Sequence, residues 1–136
     1  MRGFPKEEFI NRVAKLRQLM EKNRVDAIII TSPSNFRYFT GLDSYFWESP
    51  TRPWFVLISL LKDPIAIVPS IGLSSLEKTW IDNIVTWDSP NPEDEGVTTI
   101  LNAIHSLKIE KGNIGFELGK ESFLRMKIND FRKVEN

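Results

Sequence analysis

Cysteine is absent from this chain of 136 residues, and histidine occurs once, at His105. The first absence removes disulfides, thiolate nucleophiles and Cys-bound zinc together, so stability must come from packing, and a reducing compartment is compatible with it. The second leaves too few ligands for a zinc site, which needs at least three converging nitrogen, sulfur or carboxylate donors. A Ser-His-Asp triad would also have to use His105, yet no G-x-S-x-G elbow occurs. His105 follows Ile104 beside an apolar helical stripe, where a structural or solvent-facing role is ordinary placement. An excess of either charge is lacking too: Lys plus Arg number 18, as do Asp plus Glu, so no net field draws in nucleic acid or an acidic membrane. No apolar stretch reaches the roughly 18 residues of a membrane span. The start of the chain turns acidic at Glu7 and Glu8 before any apolar run, unlike a secretory signal. Neither nucleic acid nor a membrane is expected as a partner, and the chain reads as cytoplasmic.

What is present suits one α/β domain, since 41% of the residues are hydrophobic and the length is ordinary for a single core. Pro5 suits a first helical turn, and Phe9, Val13, Leu16 and Met20 recur at helical spacing up to a stop at Asn23. Asp26 to Ile30 is a short β-branched run of the kind covered on both faces, read here as a central strand. Thr31 to Asn35 are turn formers that feed it into a loop, and Phe36 to Gly41 form a short aromatic element ended by glycine. Trp54–Leu60 and Ile65–Val68 are strand-like, and the link between them is too short for a crossover helix, so they should pair antiparallel in a mixed sheet. Ser70 can cap a helix that buries Leu73, Leu76 and Trp80, followed by a strand at Ile84–Trp87. After a proline-broken loop at 89–96, Val97, Ile100, Leu101, Ile104 and Leu107 mark a helix. Asn113–Glu117 offers a strand, and Lys120–Ile128 has helical propensity with a thin apolar face.

Gly119-Lys120-Glu121-Ser122 invites comparison with a phosphate loop, but Gly115 is too close to Gly119 and Glu121 stands where a magnesium-binding hydroxyl belongs. No G-x-G-x-x-G follows the strand at Ile28. Glu93, Asp94 and Glu95 are consecutive in a proline-rich loop, which suits solvation better than paired acid and base. The segment Asp43 to Arg52 is unusual for a connector, because it holds Tyr45, Phe46, Trp47 and Arg52. Such a segment can form a lid that stacks on a ligand and pairs its carboxylate; equally, the rings can cover the sheet edge or a dimer contact.

The run Val25-Asp26-Ala27-Ile28-Ile29-Ile30-Thr31-Ser32-Pro33-Ser34-Asn35-Phe36-Arg37-Tyr38-Phe39-Thr40-Gly41 resembles the opening signature of the creatinase, prolidase and aminopeptidase P family. Arg12-Val13-Ala14-Lys15-Leu16, the Arg52-Pro53 pair and Ile67-Val68-Pro69 sit where that family has them, so the resemblance extends over nearly the whole chain. It implies that residues 1–136 form a single N-terminal domain of creatinase type: a mixed five- to six-stranded sheet flanked by helices, with ribonuclease H-like topology. In the family a separate C-terminal domain carries two Asp, one His and two Glu, which hold two divalent metal ions (Mn, Co or Zn) and perform the hydrolysis. That domain is absent from this chain, so the resemblance implies neither a catalytic residue nor a metal ligand within it. Asn136 falls before the helix that usually follows, which reads as a truncation of a longer parent.

The resemblance further implies a homodimer in which the N-terminal domain lends an aromatic residue and an arginine to the partner subunit's site. Counting from Gly41, Trp47 falls at the aromatic position, with Tyr45 and Phe46 beside it. Arg52 fits the arginine position once a few extra residues are allowed, and an arginine there can instead pair with a local carboxylate. The function implied is substrate capping and dimer support, beside the chain's own C-terminal catalytic domain, for a small Xaa-Pro peptide or amidino-acid substrate. The alternatives are a stand-alone protein-binding module of the same descent and, less favoured, a nucleotide-binding α/β domain.

Overall fold

A computed structural model of the protein describes residues 3–44 and 52–136. Helix α1 (Lys6–Lys22) starts directly after Pro5, carries Glu7 and Glu8 where the helix dipole favours negative charge, and ends at Asn23. It buries Phe9, Val13 and Met20, as the spacing predicts. Strand β1 (Ala27–Ile30) follows.

Helix α2 (Pro33–Thr40) corrects the expectation of a loop after β1. Ser32 and Pro33, read as turn formers, are instead its N-cap and first residue: the Ser32 side chain accepts from the Asn35 amide, and the fixed φ of proline suits a first turn. The helix ends at Gly41, whose φ of +80° is the left-handed conformation that glycine adopts without a Cβ penalty. A Cβ at Gly41 would lie 2.8 Å from the Phe9 ring, so glycine also permits α1 and α2 to approach.

Strands β2 (Phe55–Ser59) and β3 (Ile65–Pro69) form the expected antiparallel pair. A short 3-10 turn, Ser70–Gly72, leads into the one-turn helix α3 (Leu73–Leu76). Here the expectation was too generous: Ser70 makes no cap, Leu73 is exposed, Trp80 lies past the helix, and only Leu76 is fully buried. Gly72 is required because a Cβ there would sit 2.6 Å from the Trp54 indole. Strand β4 (Asn83–Trp87) pairs parallel with β3, helix α4 (Val97–Ser106) follows, and β5 (Ile114–Phe116) pairs parallel with β1. Residues 120–127 are not helical. Glu121 takes a φ of +61°, and Ser122 folds back on Gly119, so the last helix, α5 (Ile128–Glu135), begins later than its propensity suggests.

The sheet order is β4-β3-β2-β1-β5, with β2 alone antiparallel to its neighbours. This is the mixed five-stranded, helix-flanked, ribonuclease H-like arrangement expected, with β1 an interior strand between β2 and β5. The alternation of strand side chains divides the core in two. Ile30, Val56, Ile58, Ala66 and Val68 meet α1 and α2 through Val13, Phe36 and Phe39 on one face. Ile29, Phe55, Leu57 and Ile67 meet α4 through Ile100, Ala103 and Ile104 on the other. Among the described residues no helix is long and apolar enough to cross a membrane.

Candidate functional site

Because β1, β3, β4 and β5 run one way and β2 the other, four carboxyl ends and the amino end of β2 share one edge of the sheet. In open α/β sheets that edge is where ligands gather, since side chains on its loops converge there. Along it stand Thr31 and Ser32 after β1, Arg52 and Pro53 before β2, Ser70 after β3, Asp88 to Glu95 after β4, and Glu117 after β5.

The sequence-derived candidates belong to the segment that enters this edge. Tyr45, Phe46 and Trp47 lie outside the described residues; Arg52 lies within them and is half-buried. Both roots of the segment are fixed. Leu42 and Trp54 belong to the same apolar cluster, and Trp54, 1% exposed, meets the Phe36 ring edge-on at 6.1 Å. At the first root the exposed Arg37 and Asp43 pair at 3.5 Å.

Two carboxylates on the edge escape the sequence reading. Glu95 was expected to be solvated in its loop, but it is 6% exposed. Its carboxylate accepts the Trp87 indole N–H, the Ser89 hydroxyl and the Asn91 amide, each at 2.8 Å. Burial pushes its pKa up, but these hydrogen bonds, with the Arg52 charge adding to them, more than offset that and hold it below its ordinary 4.5. The Arg52 charge is the smallest of these contributions, behind the three hydrogen bonds. The neighbouring Asp94 accepts the Val97 and Thr98 amides at the start of α4, so it is a helix cap.

Glu117 closes the other side. It accepts the Thr31 amide at 2.5 Å, the Ser32 amide at 2.8 Å and the Asn35 side chain at 2.8 Å, together with both the Thr31 and Ser32 hydroxyls. Its pKa is again depressed: desolvation opposes ionisation, and the Ser32, Thr31 and Asn35 hydrogen bonds override it. The Thr31 hydroxyl also accepts the Arg125 amide at 2.9 Å, which draws residues after β5 onto the same point.

These carboxylates are saturated with neutral donors and do not converge on a metal. Among the described residues no three His, Asp or Glu side chains are grouped to hold one, so the pair of metal ions implied by the resemblance finds no fitting donor set here. The single histidine, His105, is exposed and pairs with Glu110, away from this edge. The edge can anchor a loop and present Arg52; its described residues hold no nucleophile–base pair.

Known structures share the fold at low identity. The N-terminal domain of an Xaa-Pro dipeptidase from Lactobacillus brevis superposes with a TM-score of 0.73 at 12% identity, covering 90% of this chain and 84% of that one. An Xaa-Pro aminopeptidase from Streptococcus pyogenes gives 0.69 at 15% identity, covering 96% of this chain and 85% of that one. A dipeptidase from Pyrococcus horikoshii OT3 gives 0.69 at 18% identity; 91% of this chain matches, but it spans only 31% of that protein. No curated protein sequence matches the chain. The sequence matches the Creatinase/Prolidase N-terminal domain over residues 12–128, from the first helix through the last strand, and the chain therefore belongs to that family.

Proposed function

We propose that this chain is the non-catalytic N-terminal domain of a metal-dependent hydrolase that acts on Xaa-Pro peptides or a creatine-like amidino acid. Its task there is to support dimerisation and to cap or orient substrate. The observation that carries this reading is the anchoring of both roots of the 43–53 segment, by Leu42 and Trp54, in one buried cluster next to the carboxyl edge of the sheet. A loop rooted in this way can carry the capping candidates Trp47, Arg52, Tyr45 and Phe46. Two divalent metal ions (Mn, Co or Zn) would be held by the C-terminal catalytic domain and would supply an activated water there; this domain would supply stacking and charge that orient the substrate.

The division of labour is testable in the full-length parent. Trp47→Ala is expected to raise KM or lower kcat by about tenfold while circular dichroism stays unchanged, since positioning contributes on that scale or above. Unchanged kinetics would return the segment to an edge-covering or dimer role. The isolated 136-residue chain, supplied with manganese or cobalt, is expected not to cleave Xaa-Pro peptides, and turnover would refute the assignment of chemistry to another domain.

A further inference from the structure

Where α1 crosses α2, an open groove of about 570 Å³ is lined by Phe4, Phe9 and Tyr38 together with Arg12, Arg37 and Asp43. It continues past Phe4, Phe9 and Gly41 into a second hollow of about 290 Å³ bordered by Lys6, Lys78 and Trp80. The two share Gly3, Phe4, Phe9 and Gly41 as wall and form one channel, larger than a small anion needs and open along its length.

Its chemistry differs from that of the molecule as a whole. The chain carries equal numbers of acidic and basic residues, yet among the described lining residues Arg12, Arg37, Lys6 and Lys78 face one carboxylate, Asp43, with Glu8 beside Arg12. Arg12 is already committed: it donates to Glu8 at 2.9 Å and to the Tyr38 carbonyl at 2.8 Å, and it stacks within 4.3–5.1 Å of the Phe4, Phe9 and Tyr38 rings. It therefore stiffens the aromatic wall. Lys6, Arg37 and Lys78 are exposed, and the Arg37–Asp43 pair, 3.5 Å apart and open to water, is of the kind that exchanges partners at little cost. The apolar lining is exposed as well: Phe4 is 59% and Tyr38 46% accessible, while Phe9 and Trp80 stack at 6.2 Å to form the floor.

We infer that this channel is a docking site for an acidic polypeptide segment with an aromatic or aliphatic anchor. The anchor would lie on the Phe4–Phe9–Trp80 wall, and its carboxylates would meet Arg37, Lys78 and Lys6. Charge complementarity selects the occupant, because a neutral apolar segment leaves Lys6 and Lys78 unanswered, with Arg37 held only by its exposed pair with Asp43, and a basic one is repelled. Nucleic acid fits less well. Three separated cations around aromatic walls do not make the continuous basic track that a phosphate backbone follows. The inference stands apart from the hydrolase reading, since among the described lining residues only Asp43 belongs to the 43–53 segment.

The test is fluorescence anisotropy on the whole chain with a labelled twelve-residue peptide of Asp and Glu interspersed with Phe and Leu. Saturable binding that weakens at least about tenfold between low and physiological salt is expected. A second protein, Arg37→Glu with Lys78→Glu, changes two exposed positions and keeps the fold; it should bind at least about tenfold more weakly with unchanged circular dichroism. Phe4→Ala should weaken binding without altering the salt dependence. Absence of saturable binding overturns the inference, as does equal binding by the charge-reversed protein. So does equal affinity for a peptide with Lys in place of Asp and Glu, or tighter binding of a single-stranded oligonucleotide of equal length.

Discussion

Glu95 and Glu117 stand on the same edge of the sheet and both remain ionised by accepting hydrogen bonds from neutral groups, yet they organise the molecule on different scales. The partners of Glu95 are Trp87, Ser89 and Asn91, all within eight residues of it, so it folds one loop onto itself. The partners of Glu117 are Thr31, Ser32 and Asn35, 82 to 86 residues earlier, so it fastens the last third of the chain to the first. A carboxylate of the first kind shapes a surface, whereas one of the second kind holds the β1–β5 side of the sheet closed.

The contrast predicts unequal losses. Glu117→Ala leaves the Thr31 and Ser32 amides without their acceptor at the start of α2, and should cost about 2–3 kcal/mol in urea unfolding. Amide exchange should then rise together in β1, α2 and β5. Glu95→Ala should cost about 1–2 kcal/mol, with faster exchange confined to residues 88–96 and the first turn of α4. Equal costs, or loss of protection in β1 from the Glu95 change, would erase the distinction between local and long-range ties. The smallest effect expected is on pH dependence. Both carboxyls have folded pKa values below the ordinary 4.5. Their contribution is therefore fully present above that value and is lost as pH falls through the lower folded values. Glu95→Gln with Glu117→Gln should flatten the decline of stability below about pH 4.5, because amides do not titrate there. An unchanged acid limb would mean that other carboxylates set it.

The elements legible in the sequence were those whose cause is local. The stripe Phe9, Val13, Met20 gave α1, the β-branched run gave β1, and the short Lys62-Asp63-Pro64 link forced β2 and β3 into an antiparallel pair. Ser32-Pro33 was equally local but ambiguous, since the same dipeptide opens turns and helices; the deciding partner, Glu117, is far away in the chain. For the same reason Glu117 was invisible as an edge carboxylate, whereas Glu95, whose partners are near in sequence, was hidden by the two acids beside it. Nothing in Glu93-Asp94-Glu95 says which acid turns inward until the Trp87 indole is in place to receive it. Residues 120–127 misled because helical propensity is a weak prior against a single left-handed residue at Glu121. At the candidate site, Arg52 stands before β2 on the same edge as Glu95, whose inward turn the sequence did not show.

The pairing of β1 has a consequence for biosynthesis. One side of β1 is satisfied by β2 soon after it is made, but the other waits for β5, where Ala27 faces Ile114 and Ile29 faces Phe116. A nascent chain therefore carries an apolar strand with one bare edge while most of the intervening sequence is still being translated, which is the condition that invites intermolecular strand pairing. Protection in that interval can come only from the faces, where α1 and α2 are already available to cover Ile28 and Ile30. The order of elements along the chain, with two helices around the first strand, thus shields the strand that has longest to wait.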